Sequence, residues 1–578
     1  MNPGNPIIVQ SDRSVLLEVD HPLHEEARDA LAQFAEIEKS PEHIHTYRLS
    51  PLSLWNAAAG GMNAQQIIDQ LNTYSKYPLP TNIVKEIENY IRRYGRIKLL
   101  RQDNDLLLHS DDTMLIEEIT RHKRLQPYII GVVDHNTLKV DGARRGHIKQ
   151  ALIHIGYPAE DLAGYTDGSP LPTHLRDTTL QGKDFLPRAY QEAAVGAFYA
   201  GGAPSGGSGI VVLPCGAGKT IVGLVTIAAI QRATLILTPN TVAVRQWIQE
   251  ILDKTDLPPE MVAEYSGERK EIAPITVTTY QMMTYRQHKA KKDAQDGESE
   301  SEFDPSQYPH FTLFTDYDWG LIVYDEVHLL PAPVFRFTAE LQARRRLGLT
   351  ATLVREDGRE ADVFSLIGPK KYDVPWRELE HQGWIASAEC HEIRVGFANE
   401  DEQYAYVTAE PREQYRLAAE NSVKGDVTRH LLERHPNDQI LIIGQYLDQL
   451  KKLATELDAP LLTGRTSNAQ REKLYEQFRR GEIKRLVVSK VANFAIDLPD
   501  ANVAIQISGT FGSRQEEAQR LGRILRPKGG DENIAYFYTV VTRDTRDQEF
   551  SANRQLFLTE QGYRYLIEDA ETIFTSAS

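Results

Sequence analysis

The residues with the clearest chemistry form the segment LPCGAGKT at positions 213–220. It lies between an apolar strand pattern and a helical pattern, which is the order of a phosphate-binding loop. Gly216 and Gly218 let the backbone turn its N–H groups toward phosphate oxygens. Lys219 is expected to pair with β- and γ-phosphates, and the Thr220 hydroxyl to bind Mg²⁺. The expected nucleotide-binding residues of this loop are Pro214, Cys215, Gly216, Ala217, Gly218, Lys219 and Thr220.

A second group of chemical residues is the acidic pair in VYDEVH (323–328), about a hundred residues further along the chain. Asp325 suits Mg²⁺ binding, and Glu326 suits the orientation and deprotonation of an attacking water. An acidic pair at a strand end also serves as a helix N-cap. The phosphate-binding loop upstream favours the catalytic interpretation. His328 taken alone is more often a structural histidine.

A third group is the arginine series in QRLGRILRP (519–527). Arg520, Arg523 and Arg526 recur at three-residue steps, so a helix presents them near one face. Arginines in such a series can stabilise the charge that spreads over a transferring phosphoryl group. In isolation the same pattern is typical of an ordinary basic helix face.

The elements that must position these residues are short apolar strands alternating with amphipathic helices from Phe185 onward. Near-continuous apolar strands of this kind predict parallel sheets covered on both faces. Two groups of strands predict two α/β lobes. The expected strands are 209–214, 234–239, 275–280, 320–326 and 346–352 in the first group, and 439–444, 485–490, 502–508 and 534–541 in the second.

The N-terminal third has a different, mixed α and β pattern, and the Gly-, Pro- and Thr-rich stretch 164–182 is the expected linker. Asn63 and Gln66 form a predicted capping box that opens a helix. Helices followed by a hairpin over 96–110 suggest a winged-helix-like unit. A basic cluster lies beside this hairpin, and it indicates either DNA contact or a solvated helix end. The cluster comprises Arg92, Arg93, Arg96, Lys98 and Arg101.

Composition excludes several classes of protein. The 578 residues carry a net charge of -16, which argues against a surface that is basic throughout. No apolar run reaches the ~18 residues of a membrane span, and no secretory signal pattern is expected at the N-terminus. Two cysteines cannot form a disulfide framework, which favours a reducing cytosol. The polar stretch 289–307 is expected to be a flexible insertion without a derived role.

The order of these motifs resembles that of the superfamily-two helicases: LPCGAGKT, DEVH, TAT (350–352) and QRLGRILR across two α/β lobes. Several longer segments resemble the XPB helicases, the translocase family of nucleotide excision repair. They are GLTATLVRED (348–357), LIGPK (366–370), SKVANFAIDLPDANVAIQIS (489–508) and AQRLGRILR (518–526). The stretches 6–28 and 45–57 are similar to the bacterial branch, so the resemblance covers nearly the whole chain.

The resemblance implies roles for further residues around ATP and Mg²⁺. Arg188 and Gln191 in RAYQ would contact adenine, and Asp497 would lie near the nucleotide. Arg523 and Arg526 would be arginine fingers that reach from the second lobe to the ATP on the first. Residues implied in coupling hydrolysis to unwinding are His328, Thr350, Thr352, Arg355, Glu356 and Asp357.

DNA contacts are expected from loops on the cleft side of both lobes, directed at phosphates rather than bases. The expected contacts are Thr238, Arg245, Thr279, Gly464, Arg465, Thr466, Ser489 and Lys490. A threonine after a strand is also a common helix cap. The chain departs from the family pattern at Leu213, the first residue of the phosphate loop, and at ANFA (492–495).

The resemblance implies two RecA-like parallel-sheet lobes behind an α+β N-terminal region, and an ATP-dependent 3′–5′ DNA helicase that opens DNA in excision repair. Expected domains are 1–45, the winged-helix-like unit 46–115, a damage-recognition-like unit 116–175, lobe 1 over 183–365 and lobe 2 over 366–578, with a thumb-like insertion near 397–432.

Three alternatives remain open on the residues. The protein could translocate on duplex DNA without separating strands. It could be an ATP-gated scaffold that loads a nuclease or other repair partner, since nothing in the chain resembles a nuclease site. The phosphate-directed contacts also admit RNA as the substrate.

Overall fold

A computed structural model describes residues 2–39, 43–103, 105–203, 206–214, 216–285, 308–314, 316–331, 334, 338, 344–351, 360–374, 376–489, 501–509, 521, 534–560 and 563–575. Several expected site residues lie outside the described residues, as does the 289–307 insertion. They are Cys215, Thr352, Arg355, Glu356, Asp357, Lys490, Asp497, Arg523 and Arg526.

The first N-terminal unit is an antiparallel sheet in the order β1-β2-β4-β3, packed against helices that share its apolar core. Asn63 and Gln66 form the predicted capping box at the start of the third helix, because each side chain binds the other residue's backbone N–H. The elements are β1 (Ile7–Val9), β2 (Ser14–Glu18), α1 (His24–Leu31), β3 (Glu36–Lys39), β4 (Ile44–Arg48), α2 (Pro51–Ala59), α3 (Ala64–Tyr74) and α4 (Thr81–Arg93).

The second N-terminal unit is a five-stranded sheet in the order β7-β8-β6-β5-β9 with its own core. Its elements are β5 (Ile97–Gln102), β6 (Asp105–His109), α5 (Thr113–Arg121), β7 (Ile129–Asp134), β8 (Thr137–Val140), α6 (Arg145–His154) and β9 (Ala159–Asp161). The β5–β6 hairpin is antiparallel as predicted.

The structure divides the expected 46–115 unit between these two cores. Ile67, Leu71, Ile83 and Ile87 of α3 and α4 pack into the core of the first sheet, whereas the hairpin belongs to the second. The helices therefore bury their apolar faces against strands β1–β4 rather than against the hairpin.

Lobe 1 is a parallel sheet of seven strands in the order β12-β13-β11-β14-β15-β10-β16. Its central strands are buried along their whole length, which explains their continuous apolar sequence. The elements are α7 (Ala189–Tyr199), β10 (Ser208–Val212), α8 (Lys219–Ile230), β11 (Thr234–Thr238), α9 (Thr241–Lys254), β12 (Val262–Tyr265), β13 (Ile275–Thr279), α10 (Tyr280–Met283), β14 (Leu321–Asp325), β15 (Arg345–Thr350), α11 (Glu360–Leu366) and β16 (Lys370–Asp373).

Lobe 2 is a second parallel sheet of seven strands, in the order β19-β20-β18-β21-β22-β17-β23. The elements are α12 (Trp376–His381), β17 (Ser387–Val395), α13 (Glu400–Thr408), α14 (Pro411–Ala419), α15 (Val423–Arg434), β18 (Ile440–Gly444), α16 (Leu447–Glu456), β19 (Leu461–Leu462), α17 (Asn468–Arg479), β20 (Arg485–Ser489), β21 (Val503–Gln506), β22 (Ile534–Thr542), α18 (Arg546–Glu560), β23 (Tyr565–Asp569) and α19 (Ala570–Thr575).

The two-lobed parallel architecture confirms the prediction, and the strands expected from apolar runs are all present. The boundary expected after residue 365 needs correction, because β16 pairs with β10 and completes the lobe 1 sheet. Its sequence KKYD is polar, as suits a half-buried edge strand, so no apolar run revealed it.

The expected linker at 164–182 lies along lobe 1. Leu171 and Thr173 are buried, and Leu171 N donates to Gln231 O at 3.0 Å. The N-terminal region also contacts lobe 1 through Asn56 Oδ1, which accepts from Lys370 N at 3.1 Å. In the part of the chain that the structure describes, no helix is long and apolar enough to cross a membrane.

Candidate nucleotide site

The candidate site lies at the carboxyl ends of the lobe 1 strands, which meet at one edge because the strands are parallel. Asp325 ends β14 and lies opposite Leu349 on β15. The phosphate-binding loop follows β10, whose last residue, Val212, lies opposite Thr350. Strand order therefore brings the two motifs together from positions about a hundred residues apart.

The loop has the backbone that a phosphate cradle needs. Gly216 and Gly218 have φ angles of +83° and +81°, which favour glycine. A Cβ on Gly218 would lie 2.6 Å from Gln191 Nε2, so the position is also crowded. Helix α8 begins at Lys219, and its N-terminus therefore adjoins the loop.

Lys219 and Glu326 form an ion pair at the centre of the site. Lys219 Nζ lies 2.5 Å from Glu326 Oε1, and both side chains are largely buried. The second oxygen, Glu326 Oε2, is buried without a hydrogen bond to any of the described residues and lies 3.4 Å from His328 Nδ1. Glu326 itself has a φ of +49°, in the left-handed region, which is the kind of strain found at functional positions.

His328 links the acidic motif to the next strand. Its Nδ1 lies 2.7 Å from Thr350 Oγ1 at the end of β15, and both residues are buried. The sequence alone favoured a structural histidine, whereas the family resemblance implied a coupling role. The observed contact joins His328 to Thr350, the residue that the resemblance assigned to the same task.

The two carboxylates experience different electrostatic environments. Burial raises the pKa of Asp325, and the neighbouring Glu326 charge raises it further. Burial also opposes ionisation of Glu326, but the charges of Lys219 and His328 outweigh it and lower the pKa of that carboxyl. Glu326 is thus held as an anion, whereas at Asp325 burial and the Glu326 charge outweigh the opposing effect of Lys219, an environment that suits a divalent metal.

Two residues that hold Asp325 were missed by sequence reasoning. Trp247 Nε1 donates to Asp325 Oδ2 at 2.9 Å, and Tyr280 Oη donates to the Asp325 carbonyl at 2.8 Å. Gly223 makes room for the indole, since a Cβ there would lie 2.3 Å from Trp247. A lone tryptophan in the amphipathic helix α9 carries no sequence signal for this role.

The RAYQ segment holds the phosphate-binding loop through hydrogen bonds to its backbone. Tyr190 Oη and Gln191 Nε2 both donate to the Ala217 carbonyl, at 2.7 and 2.9 Å. Gln191 Oε1 accepts from Arg188 N at 2.9 Å, so the buried amide is engaged with backbone at both ends. Gln191, expected to contact adenine, is placed here as a support of the phosphate loop.

The expected DNA contacts in lobe 1 fall into two groups. Thr238 and Thr279 lie opposite each other at the ends of β11 and β13, and both are buried. Thr238 Oγ1 donates to Thr278 O at 3.0 Å, and Thr279 Oγ1 accepts from Met282 N at 3.1 Å. Thr279 therefore caps α10, the role that the sequence also admitted, whereas Thr238 binds a carbonyl of the neighbouring strand and Asn240 caps α9. Only Arg245 of the three has an exposed side chain, 3.5 Å from Glu268.

In lobe 2, Gly464 and Arg465 are exposed, and Thr466 Oγ1 accepts from Thr463 N at 3.0 Å to close their loop. Ser489 is buried at the end of β20.

Two arginines of the basic cluster beside the hairpin make contacts within the protein. The Arg93 guanidinium lies over the rings of Tyr90 and Tyr157, and Arg96 pairs with Asp112.

Comparison with known proteins decides the family. The DNA 3'-5' helicase XPB of Mycobacterium tuberculosis (strain ATCC 25618 / H37Rv) is 52% identical over 573 residues, which cover 99% of each chain. This chain belongs to the XPB helicase family. The XPB protein of Kineococcus radiotolerans is also 52% identical, over 98% of this chain and 97% of its own.

Family models agree with this assignment along the chain. The ERCC3/RAD25/XPB C-terminal helicase model matches residues 379–576, and a model of the type III restriction enzyme res subunit matches 184–355. A helicase conserved C-terminal domain model matches 7–133 in the N-terminal region. A more distant XPB relative is the transcription and DNA repair factor IIH helicase/translocase subunit of Enterocytozoon bieneusi, 34% identical over 97% of this chain and 92% of its own.

Proposed function

We propose that this protein is an ATP-dependent 3′–5′ DNA helicase and translocase that opens DNA during nucleotide excision repair. The observation that carries the proposal is the Lys219–Glu326 pair, which joins the phosphate loop to the acidic motif at the strand ends of lobe 1. The XPB relatives, named as DNA 3'-5' helicases, support DNA as substrate and the polarity.

Lys219 would exchange Glu326 for the β- and γ-phosphate oxygens of ATP, since phosphate is the denser negative charge. That exchange leaves the Glu326 carboxylate free to orient a water and accept its proton. Thr220 and Asp325 would hold Mg²⁺, which would neutralise the developing phosphate charge. Trp247, bonded to Asp325, would keep that carboxylate in position.

His328 contacts both Glu326 and Thr350. A change in the pairing of Glu326 would therefore be transmitted through His328 to the end of β15. The chain continues from there into Thr352 and the 355–357 motif, which are expected to couple hydrolysis to unwinding. ATP binding would close the cleft between the lobes, with Arg523 and Arg526 completing the site, and hydrolysis would open it.

DNA would be held through its phosphates, which suits a motor that must accept any sequence. Among the described residues, the expected contacts that are exposed are Arg245, Gly464 and Arg465. A nuclease would have to come from a partner protein. We place the activity in the cytosol, where the two cysteines stay reduced.

A second candidate is duplex translocation without strand separation, and it is favoured by the name of the Enterocytozoon bieneusi relative, a helicase/translocase subunit. It uses the same ATP chemistry and differs only in what the lobes do to the second strand. The scaffold alternative predicts slow turnover and strong stimulation by a partner.

The deciding experiment measures ATP turnover without nucleic acid and with single-stranded DNA, duplex DNA or RNA, together with displacement of a 3′-tailed strand. DNA-specific stimulation with strand displacement is the expected result. Duplex-stimulated turnover with displacement of a triplex-forming strand only would favour the translocase. Stimulation by RNA alone, or full turnover in a Lys219→Ala protein, would contradict the proposal.

A further inference from the structure

Trp384 lies close to the candidate nucleotide site, where it contacts Arg188. It lies in the connector between the lobes, after α12, which ends at His381. Of the five tryptophans it is the exposed one at 37%, whereas Trp55, Trp247, Trp319 and Trp376 are at most 6% exposed. An exposed indole next to a ligand site is a feature that packing alone does not explain.

The backbone holds Trp384 firmly at this place. Gly383 has a φ of +73°, and Trp384 N donates to Leu379 O at 2.8 Å, which together form a glycine-based end to α12. The next residues, Ile385 and Ala386, are fully buried. The indole is therefore anchored on both sides, and its Nε1 donates to Gln382 Oε1 at 3.1 Å.

The indole face carries the guanidinium of Arg188. Arg188 Cζ lies 4.4 Å from the Trp384 ring centroid, which is a close cation–π stack. Arg188 Nη1 also donates to Tyr190 Oη at 3.0 Å, and Tyr190 Oη donates to the Ala217 carbonyl of the phosphate loop. A guanidinium plane has two faces. Trp384 takes one of them, and Arg188 remains partly exposed.

We infer that Trp384 is a positioning residue that holds the Arg188 guanidinium flat, so that the free face of Arg188 stacks on the purine base of the nucleotide. This inference rests on the proposed ATPase function. It assigns stacking on the base to the Arg188–Trp384 pair, beside the Gln191 amide, which keeps one N–H and one oxygen lone pair after its two backbone bonds. Because Trp384 lies in the connector between the lobes, base binding would depend on the position of that connector.

The test compares Trp384→Ala, Trp384→Phe and the unchanged protein in steady-state ATP hydrolysis. Loss of the indole frees the arginine side chain, so KM for ATP is expected to rise about 2- to 10-fold, with kcat at saturation unchanged. Trp384→Phe keeps an aromatic face and should restore most of the affinity. Tyr77→Ala, which removes an exposed aromatic side chain from the N-terminal region, is the matched control.

Inhibition by inorganic tripolyphosphate separates base positioning from damage to the phosphate loop. The inhibition constant should be the same in Trp384→Ala and the unchanged protein, because tripolyphosphate has no base. The double variant Arg188→Ala/Trp384→Ala should show no larger KM than Arg188→Ala alone, since both act through one stack.

An unchanged KM in Trp384→Ala, or a parallel rise of KM and the tripolyphosphate constant, would overturn the inference. If Trp384→Ala does not fold, Arg188→Lys gives the same test, because lysine keeps the charge without the plane. Absence of ATP turnover in the unchanged protein would instead refute the proposed function, so the two failures are distinguishable.

Discussion

Each lobe contains a buried lysine–carboxylate pair, and the two pairs differ in what surrounds them. Lys219 Nζ lies 2.5 Å from Glu326 Oε1 in lobe 1, and Lys424 Nζ lies 2.6 Å from Asp547 Oδ2 in lobe 2. The lobe 1 side chains keep 12% and 15% exposure, whereas those of lobe 2 keep 0% and 1%. The same ionic contact is therefore reachable by a ligand in one lobe and sealed in the other.

The remaining contacts of the sealed pair explain its role. Lys424 Nζ also donates to Ile507 O at 3.0 Å, and Asp547 Oδ2 accepts from Thr542 N at 3.2 Å. The pair thus joins α15, α18 and the ends of two strands. In each pair the second carboxylate oxygen, Glu326 Oε2 or Asp547 Oδ1, is buried without a hydrogen bond among the described residues. Exposure is what separates the two pairs: a partly exposed pair can change partners when a ligand binds, and an enclosed pair holds elements together.

The largest effect is expected from Glu326→Gln, which keeps the shape of the side chain but removes the base. ATP turnover should fall about 100- to 10,000-fold while the protein stays folded. Turnover in the presence of DNA is the measurement, with circular dichroism as the check on folding. Glu117→Gln changes an exposed carboxylate on α5 and serves as the control. Near-normal turnover in Glu326→Gln would remove Glu326 from the mechanism.

Lys424→Met should produce the opposite pattern, a loss of stability rather than of chemistry. It leaves the buried Asp547 carboxylate without its cation, which costs about 3 to 5 kcal/mol in the free energy of unfolding of lobe 2. Urea unfolding measures this cost. Lys451→Met, on the exposed face of α16, should change it by less than about 0.5 kcal/mol. Equal effects of the two substitutions would show that the lobe 2 pair is not structural.

Trp247→Phe sharpens the comparison by disturbing the lobe 1 site without touching the ion pair. It removes the charge-assisted hydrogen bond to Asp325 and keeps most of the apolar volume. Loss of such a bond is expected to weaken Mg²⁺ binding by about 1.5 to 3 kcal/mol. The weaker binding should appear as a higher Mg²⁺ requirement for ATP turnover. The Mg²⁺ dependence of the rate is measured in both proteins. Identical curves would argue that Trp247 only fills space.

A third buried site lies where the N-terminal region contacts lobe 2, and there Arg28 and Arg564 adjoin two histidine rings, with Arg28 also paired with Asp29 at 2.6 Å. Arg564 Nη2 donates to Val19 O at 2.7 Å, and the His24 and His45 rings lie 5.5 Å apart. Burial, together with the charges of Arg564 and Arg28, lowers the pKa of His45 from its ordinary value to about 4. Folding therefore favours the neutral imidazole.

The stability from neutral His45 is complete above about pH 6.5 and is lost as the pH falls toward 4. At pH 5 the loss should be about 2 kcal/mol, and it should be absent in His45→Gln. Thermal midpoints between pH 5 and 8 measure it. His43→Gln, which changes an exposed histidine two residues away, should keep the pH dependence of the unchanged protein. A pH profile unaffected by His45→Gln would contradict the assignment.

Local patterns predicted much of this molecule because they report properties that a short segment carries by itself. Continuous apolar runs marked the central strands of both lobes, since burial on both faces requires them. The glycines of the phosphate loop marked a tight turn before a helix, and both have the expected positive φ. The polar edge strand β16 gave no such signal, because an edge strand is only half-buried.

Side-chain surroundings were predicted less well. Thr238 and Thr279 have residue types that suit phosphate contact, but their burial depends on how β11 and β13 pair. Gln191 stays the predicted adenine contact, and its amide also donates to the neighbouring loop carbonyl, a bond that the sequence did not reveal. Trp247 gave no signal, since its partner Asp325 lies 78 residues away in the chain.

The sequence by itself determined the two parallel-sheet lobes and the order of the motifs, and it predicted which residues would bind phosphate and activate water. These follow from local hydrophobicity and backbone preference. Tertiary structure alone decided that Lys219 meets Glu326 across 107 residues, that Lys424 and Asp547 are sealed, and that Arg188 stacks on Trp384. Strand order and helix packing set those distances, and no short segment encodes them.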